Sequence, residues 1–300
     1  MDLTDCTLCP RLCHVDRRER TGFCGAGLRA KVALVSLHPW EEPCLTGTAG
    51  AGTVFFSHCT LRCCYCQNYG ISHGGEGMEV SDERLAEIFL EQQERGAATL
   101  DLVTPTHYLP QILHGLDMAR TKGFSLPVAY NSGGYERAET IEALRGYADI
   151  FLPDLKYMDE KSAREYSRAP DYFSVARKAI TQMVKETGPF VVDGTGRMLR
   201  GVIVRHLVLP GHRHESMAIL DWLWKEFGGD IQISLMSQYT PMYEAEKHGA
   251  LGRRLTTFEY ESVVEHALDL GITNCYVQER RSASEEYVPT FDGRGVMRGI

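Results

Sequence analysis

The chain has 300 residues, of which 43% are hydrophobic and 24% charged, a composition of globular rather than disordered or fibrous proteins. Its formal net charge of −8 offers no positive surface to a phosphate backbone, which argues against nucleic acid as a partner. No apolar run reaches about 18 residues and residues 1–20 lack the apolar core of a signal peptide, so we expect a cytoplasmic protein without a membrane partner.

Residues 1–50 form the first predicted unit, an N-terminal extension rich in cysteine, glycine, proline and arginine, with one strand predicted at 31–37. The extension carries Cys6, Cys9, Cys13 and Cys24, four of the ten cysteines of the chain. In a reducing compartment, clustered thiols are typical of metal or redox sites rather than of disulfides. Four thiols are enough for an auxiliary [4Fe-4S] cluster or for a structural zinc ion, and a redox or unligated role is the third interpretation.

Residues 51–280 form the second predicted unit, in which apolar strands alternate with amphipathic helices. The predicted strands are 52–58, 98–103, 126–131, 149–156, 201–211, 230–235 and 273–279. The predicted helices are 81–96, with Ser81 as the N-cap, then 110–123, 136–147, 159–188, 217–227 and 257–270. This alternation is typical of βαβ units and of a parallel sheet covered on both faces. The predicted fold class is therefore α/β, and residues 281–300 are predicted to be a C-terminal tail.

Polar residues at the ends of the predicted strands favour a barrel or part-barrel. His58, Asn131 and Asp154 are examples, and the reactive groups of such barrels lie at the C-terminal ends of the strands. An open, doubly wound sheet is the alternative. No Gly-x-Gly-x-x-Gly follows the first barrel strand, which argues weakly against a dinucleotide site of that type.

The loop after the first barrel strand carries Cys59, Cys63 and Cys66 with the spacing C-x3-C-x2-C, and Tyr65 stands directly before the last cysteine. Iron–sulfur clusters are usually held by four thiolates, so three ligands leave one iron open. An open coordination position is what a catalytic metal site needs. Zinc is the rival metal, but the four cysteines within residues 59–66 do not easily all point at one tetrahedral ion.

This motif, placed after the first strand of a β/α chain, resembles the signature of the radical S-adenosylmethionine (SAM) superfamily. Within it the chain is most similar to the pyruvate formate-lyase activating-enzyme branch. The segments that carry this similarity are HPWEEPCLTG (38–47), CQNYGIS (66–72), LVTPTHYLP (102–110), YNSGGYE (130–136), FLPDLKYMD (151–159) and VRHLVLPG (204–211). The resemblance implies a partial (β/α)6 barrel over residues 51–280, with the Cys-rich extension attached to it.

The resemblance also implies an enzyme of the oxidoreductase or lyase type. Its [4Fe-4S] cluster, on Cys59, Cys63 and Cys66, would bind the amino and carboxylate groups of SAM. One electron from a donor such as flavodoxin or ferredoxin would cleave SAM to a 5′-deoxyadenosyl radical, which abstracts hydrogen where oxygen is scarce. An activase role implies a glycyl-radical enzyme as partner. The alternatives are modification of a small molecule or peptide by the same chemistry, and a non-catalytic iron–sulfur or zinc scaffold.

The resemblance also implies which residues of this chain contact SAM. The implied contacts are Tyr65 beside the adenine, Asn131, Ser132, Asp154 and Lys156 on the carboxylate and ribose, and Arg205 on the carboxylate. Many family members carry Gly-Gly-Glu at the end of the second strand, where this chain has Thr104-Pro105-Thr106-His107. We therefore take Thr106 and His107 as candidates for the amino group, and His107 also for the substrate.

Several other residues near the motifs also have a structural interpretation. His107 has the alternative role of a hydrogen-bonded histidine at the barrel rim. Glu41 and Glu42 are interpreted as a solvated acidic turn, with carboxylates that face the substrate as the alternative. Cys64 and Cys275 are interpreted as packing residues, because a thiol behaves as a small hydrophobic side chain.

Overall fold

The computed structural model describes residues 1–278 and 289–298, and the strands in this part of the chain form one sheet. In chain order the strands are β1 (Ala30–His38), β2 (Ala51–Phe56), β3 (Met78–Val80), β4 (Leu100–Val103), β5 (Val128–Ser132), β6 (Ile150–Pro153), β7 (Val191–Val192), β8 (Met198–Leu207), β9 (Gln232–Met236) and β10 (Cys275–Val277). Strands β2, β4, β5, β6, β8, β9 and β10 are parallel neighbours in that order. Antiparallel β1 and β3 continue the sheet beyond β2, and β7 pairs with β8.

Helices lie between the strands along the chain. They are α1 (Pro43–Thr46), α2 (Tyr69–Ser72), α3 (Asp82–Glu94), α4 (Leu109–Thr121), α5 (Ala138–Glu142), α6 (Glu160–Ser167), α7 (Tyr172–Thr187), α8 (Arg213–Phe227) and α9 (Thr257–Asp269). Helix α3 begins after Ser81 as predicted, and the Ser81 hydroxyl accepts a hydrogen bond from the Arg84 amide at 3.3 Å. The α/β fold with a partly open parallel sheet is therefore confirmed.

The parallel strands divide their side chains between two environments, because successive residues of a strand point to opposite faces. On β4, Leu100 and Leu102 pack in the core that includes residues of α3 and α4. Asp101 lies between them and points to the other face, into the interior of the curved sheet. We call this interior the lumen, and Asn131 on β5 and Arg205 on β8 also face it through their contacts with each other and with Asp101.

The structure differs from the predicted elements in several places. The predicted helix 136–147 is the shorter α5, and the predicted helix 159–188 is divided by Arg168, whose φ of 53° ends α6. Strands β3 and β7 were not predicted, because two or three residues carry too little periodicity. Strand β1 joins the sheet although it precedes residue 50, the predicted boundary. Residues 279–288 and 299–300, which include the end of the last predicted strand and much of the predicted tail, lie outside the described residues.

The N-terminal residues 1–29 form turns that dock on the barrel through arginine side chains. Arg17 donates to the His107 carbonyl at 2.5 Å, and Arg137 donates to the Thr7 carbonyl at 2.6 Å. The guanidinium of Arg11 lies 3.8 Å from the centre of the Phe23 ring. Among the described helices, none is long and apolar enough to cross a membrane.

Candidate active site

The three-cysteine loop follows β2 directly and is held by backbone hydrogen bonds. His58 adopts the left-handed backbone region (φ 73°), which turns the chain out of the strand. The Cys64 amide then donates to the Tyr166 carbonyl at 2.8 Å, which fixes the loop to α6. Cys64 is 5% exposed and lies in the hydrophobic core, consistent with the packing role expected for it.

The thiols of Cys59, Cys63 and Cys66 each meet a hydrogen-bonding group. The Leu61 amide donates to Cys59 Sγ at 3.4 Å, while Cys63 Sγ lies 3.0 Å from the Ser167 hydroxyl and Cys66 Sγ 3.2 Å from the Ser72 hydroxyl. Burial, together with the nearby Cys63 thiol, raises the pKa of Cys59 to about 12 and that of Cys66 to about 11. The three thiols therefore face a common space.

This donor set fits an iron–sulfur cluster, since cluster ligands are thiolates whose sulfurs accept hydrogen bonds from the protein. Within residues 1–278 and 289–298, no group of three or more histidine, cysteine, aspartate or glutamate side chains has the geometry to hold a metal ion. The fit therefore rests on donor chemistry and hydrogen bonds rather than on a preformed cage.

An ion-paired set at the ends of β6 and β8 lies beside the thiols. Lys156 Nζ is 2.6 Å from Asp154 Oδ2, and Arg205 Nε is 3.2 Å from Asp154 Oδ1. Burial raises the pKa of Asp154, but the Lys156 and Arg205 charges outweigh it and hold the pKa below its usual value. Lys156 also interacts electrostatically with Cys59, Cys63 and Cys66. The structure thus brings the predicted thiols together with Asp154 and Lys156, which were predicted to bind SAM.

Asn131 and Ser132, at the end of β5, lie in the same region. Asn131 Oδ1 accepts a hydrogen bond from Arg205 at 2.5 Å, and the Ser132 hydroxyl accepts one from the Gly134 amide at 3.3 Å. Both side chains are buried. Arg205 therefore has neutral as well as charged partners in the lumen.

Glu41 and Glu42 also enter the lumen, so their interpretation as a solvated acidic turn was wrong. Glu41 Oε1 lies 3.2 Å from Arg205 Nη1, and the Glu41 side chain is only 13% exposed. Burial raises the pKa of Glu42 to about 7, helped by Glu41 and opposed by the Arg205 charge and by a hydrogen bond with Ser234. The segment between β1 and β2 carries both carboxylates inward, which local sequence cannot show.

Asp101 is a site residue that sequence reasoning missed. It is fully buried, and the Asn131 amide donates to its Oδ2 at 3.4 Å. Its Oδ1 has no hydrogen-bond partner among the described residues. Burial raises the pKa of Asp101, and the neighbouring Glu41 adds to this effect. The sequence feature that could have identified Asp101 is its position as the one aspartate inside the apolar run ATLDLV at 98–103.

Thr106 is buried against Glu136, which sequence reasoning also missed. The Thr106 hydroxyl donates to Glu136 Oε1 at 2.7 Å, and the Tyr130 hydroxyl donates to Thr106 Oγ1 at 3.1 Å. Burial raises the pKa of Glu136 to about 8. Thr106 Oγ1 thus keeps acceptor capacity beyond these two bonds.

His107 faces the N-terminal unit rather than the ion pairs of the lumen. It is 2% exposed, and its Nε2 donates to the Ser57 carbonyl at 2.7 Å, so the neutral ring carries an acceptor at Nδ1. Burial lowers the pKa of His107 to about 3. This placement favours the alternative role, a hydrogen-bonded histidine at the rim, over contact with the substrate or the amino group of SAM.

Tyr65 lies in the wall beside the thiol loop. Its hydroxyl is 2.6 Å from that of Tyr157, which is in turn 2.8 Å from the Ser167 hydroxyl that contacts Cys63. The Tyr65 ring is buried in the core. Its role beside the adenine stays a prediction.

The four N-terminal thiols lie together in a separate unit. The Phe23 amide donates to Cys13 Sγ at 3.3 Å, and the Ala26 amide donates to Cys24 Sγ at 3.4 Å. Burial raises the pKa of Cys24, and Cys6 and Cys13 act on it electrostatically. A Cβ at Gly22 would stand 2.8 Å from Cys13 Sγ, so the small residue lets the chain pass the sulfur. Sulfurs with amide donors fit thiolate metal ligands.

Comparison with known proteins gives a family match and several similar proteins. The family model described as the radical SAM superfamily matches residues 53–223. The chain is 28% identical to the uncharacterized protein MJ0674 of Methanocaldococcus jannaschii over 276 residues, which cover 88% of this chain and 74% of that protein.

Three solved structures are similar to this chain over part of their length. Streptococcus suis SuiB bound to precursor peptide SuiA has a TM-score of 0.47 at 13% identity, over 74% of this chain and 46% of that one. The structure of anSMEcpe with bound AdoMet has a TM-score of 0.49 at 12% identity, over 73% and 61%. HydG, a maturase of the [FeFe]-hydrogenase, has a TM-score of 0.49 at 14% identity, over 73% and 48%. The chain spans less than two thirds of the length of each of these three.

Proposed function

We propose, from the premise that the chain belongs to the radical SAM superfamily, that it reductively cleaves SAM and uses the 5′-deoxyadenosyl radical to abstract hydrogen. The observation that carries the proposal is the placement of three thiols, those of Cys59, Cys63 and Cys66, beside the Asp154–Lys156 ion pair. The family implies a [4Fe-4S] cluster and SAM as cofactors. A thiol loop next to a buried charged site is what binding both of them requires.

The cofactors supply the electron transfer and the radical when they are bound. The chain supplies positioning and charge. Lys156, held by Asp154, offers an ammonium to the carboxylate of SAM, and Asn131 offers amide groups to its polar atoms. Thr106 Oγ1, anchored by Glu136, is a candidate acceptor for the amino group in place of the family's Gly-Gly-Glu. The buried aromatic wall at Tyr65 keeps water away from the reacting atoms.

The electron must come from outside the chain, so a partner belongs to the proposal. A flavodoxin or a ferredoxin has the chemistry of a one-electron donor. We place the reaction in a reducing, oxygen-poor cytoplasm, where three thiol ligands and a reduced cluster persist.

The substrate is the finer part of the proposal. The resemblance to activating enzymes favours a glycyl-radical enzyme as the substrate. Its glycyl radical would then be detected by electron paramagnetic resonance (EPR). The carboxylates around Arg205 favour the second candidate, a small molecule or peptide with a positive group. The enzyme would be incubated with a glycyl-radical enzyme and SAM. If SAM is cleaved but no glycyl radical signal appears by EPR, the small molecule or peptide is favoured.

The N-terminal thiols carry a separate proposal, a second metal bound by Cys6, Cys9, Cys13 and Cys24. The buried sulfurs and their amide donors suit either an auxiliary [4Fe-4S] cluster or zinc. Iron, sulfide and zinc would be measured in anaerobically reconstituted protein and in the Cys6→Ala/Cys9→Ala variant. We expect the variant to lose either about four iron atoms or one zinc ion. Equal cluster content in both proteins, without zinc, would rule the second metal out.

The main proposal is tested by product formation. Reconstituted protein, dithionite and SAM should yield 5′-deoxyadenosine, and Cys63→Ala should reduce it to background because the cluster loses a ligand. Cys64→Ala is the matched control, since Cys64 is adjacent and buried but packs in the core. The non-catalytic scaffold predicts no product above the Cys63→Ala level in any of the three proteins, and that result would refute the proposal.

A further inference from the structure

The floor of the lumen is built by the segment between β1 and β2. Because β1 runs antiparallel to β2, this segment lies at the N-terminal ends of the parallel strands, opposite the thiol loop. Cys44 and Leu45 of this segment belong to one buried cluster with Ala129, Ile150 and Ile203 of β5, β6 and β8. The apolar residues anchor the segment, and Glu41 and Glu42 precede them on the same short stretch.

Carboxylates outnumber cations in the described part of this lumen. Arg205 interacts electrostatically with four carboxylates, those of Asp154, Glu41, Glu42 and Asp101. Lys156 is the second cation, and it is already paired with Asp154 at 2.6 Å. Arg205 is likewise shared between Asp154 and Glu41, each at 3.2 Å. Among the described residues, Glu42 and Asp101 form no direct ion pair with these two cations. Glu42 hydrogen bonds with Ser234, and Asp101 hydrogen bonds with the Asn131 amide and with the Glu41 carboxyl.

Asp101 provides the second observation. Its side chain is fully buried, its Oδ1 has no hydrogen-bond donor within residues 1–278 and 289–298, and its other contacts are a long bond of 3.4 Å from the Asn131 amide and one with the Glu41 carboxyl. A buried carboxylate oxygen without a donor is costly. A ligand that donates N–H groups in the lumen would remove that cost.

This acidic set adjoins the residues proposed to bind SAM through Asn131 and Arg205, and it extends deeper into the lumen. Val103 pairs with Asn131 across β4 and β5, and Asp101 precedes Val103 by two residues on the same face. Two residues of a strand span about 6.6 Å, so Asp101 lies deeper, towards the floor. Glu41 and Glu42 come from the floor itself. SAM held at the thiol loop and the strand ends would thus leave the acidic set for another molecule.

We infer that Glu41, Glu42 and Asp101 bind a positively charged nitrogen group of the substrate, an ammonium or a guanidinium. Both groups carry several N–H donors and no acceptor, which suits three carboxylates, one of which keeps an oxygen without a hydrogen-bond donor among the described residues. The inference rests on the proposed function and deepens it, since it makes the substrate an amine-bearing or guanidine-bearing molecule or side chain. Binding at the floor would leave the uncharged part of such a substrate pointing towards the thiol loop.

The test is calorimetry on the anaerobically reconstituted protein with SAM at saturation. The probes are n-butylammonium, n-butylguanidinium, neutral 1-pentanol and magnesium ion. We expect at least one organic cation to bind, and 1-pentanol and magnesium to bind at least about tenfold more weakly. Asp101→Asn and Glu41→Gln should each weaken the cation at least about tenfold, because each removes a charge-assisted hydrogen bond. Glu261→Gln, on the exposed face of α9, is the matched control and should leave binding unchanged.

The outcomes separate the inference from the proposed function. Equal binding of the cations and 1-pentanol, tighter binding of magnesium, or no effect of either variant would overturn the inference. Loss of cation binding when SAM is present would overturn it too, because SAM would then occupy the acidic set. SAM cleavage is measured separately in the same samples, so its absence would count against the proposed function alone. Circular dichroism spectra of the two variants confirm that both are folded.

Discussion

The two groups of thiols in this chain differ in number and in surroundings. The loop after β2 offers Cys59, Cys63 and Cys66 to a lumen that contains the Asp154–Lys156 ion pair. The N-terminal unit offers four thiols to one another, in turns docked outside the barrel. Because a cluster with three protein ligands keeps an open iron and four ligands close it, we propose the loop as the reactive centre and the N-terminal thiols as a closed site.

A neutral buried layer lies between the two groups. Glu136 contacts Thr106 on the barrel side and acts electrostatically on Cys9 on the N-terminal side. His107, also buried and neutral, receives Arg17 of the N-terminal unit at its carbonyl. Glu136 and His107, which carry no charge at neutral pH, thus lie between the two groups of thiols, while the Arg62 guanidinium joins the two regions by donating to the Phe23 and Cys24 carbonyls.

The largest effect is expected at the lumen. Lys156→Met removes the ammonium that faces the three thiols while Asp154 keeps Arg205 as its partner. We expect SAM affinity to fall about 100-fold, or about 2.7 kcal/mol, because a buried charge-assisted contact is lost. Calorimetric titration of SAM into reconstituted protein measures it. Lys161→Met, exposed on α6, is the control, and equal affinity in the two variants would remove Lys156 from the site.

The second prediction addresses the N-terminal thiols. Cys6→Ala/Cys9→Ala should lower the free energy of unfolding by roughly 2 kcal/mol or more, because a structural metal contributes folding energy. Formation of 5′-deoxyadenosine with dithionite should stay within about fivefold of the unmodified protein, since the lumen is intact. Denaturant unfolding and product assays check both. Unchanged stability with abolished SAM cleavage would reverse the assigned roles of the two sites.

The third prediction concerns the neutral layer. Burial raises the pKa of Glu136 to about 8 from its ordinary 4.5. The folded protein then keeps a proton that the unfolded chain releases in this window, so this group's stability contribution falls as pH rises from 4.5 to 8. Glu136→Gln should therefore be more stable than the native chain by roughly 2 kcal/mol at about pH 8.5 and nearly equal at about pH 5.

Thermal unfolding at the two pH values measures the difference. Glu139→Gln, three residues later, on α5 and highly exposed, should show no such pH dependence. A gain in the Glu136→Gln variant that is the same at both values would mean that Glu136 is ionised in the folded protein.

The smallest effect is expected at Cys64. Cys64→Ala removes one buried sulfur from the core and should cost about 1 kcal/mol of stability, with SAM cleavage changed less than about twofold. Unfolding and product assays on the same samples show whether the two effects separate. A loss of iron in this variant would place Cys64 among the cluster ligands and weaken the contrast between the loop and the core.

The sequence was informative where chemistry depends on neighbours in the chain. The spacing of Cys59, Cys63 and Cys66 and the polar ends of β5 and β6 predicted which side chains meet. The parallel sheet followed from the alternation of apolar strands and helices. These features depend on local spacing and on the shared edge of parallel strands.

The remaining site residues depend on distant contacts. Glu41 reaches Arg205 across 164 positions, and only the path of the segment below the strands brings them together. His107 turns away from the lumen because Ser57 and Arg17 hold its ring and its backbone. Asp101 could have been identified from the alternation of β4, where it lies between two leucines that face the helices. Orientation of side chains, rather than their identity, was what the sequence left open.

The contrast between the two thiol groups is tested most directly by EPR of the dithionite-reduced Cys6→Ala/Cys9→Ala variant, recorded with and without SAM. This variant keeps the three loop thiols and leaves only Cys13 and Cys24 of the N-terminal set. The account predicts a reduced-cluster signal whose shape changes when SAM is added, and no signal when Cys63→Ala is introduced as well. A signal that SAM leaves unchanged, or one that survives the loss of Cys63, would contradict the assignment of the loop as the SAM-binding centre.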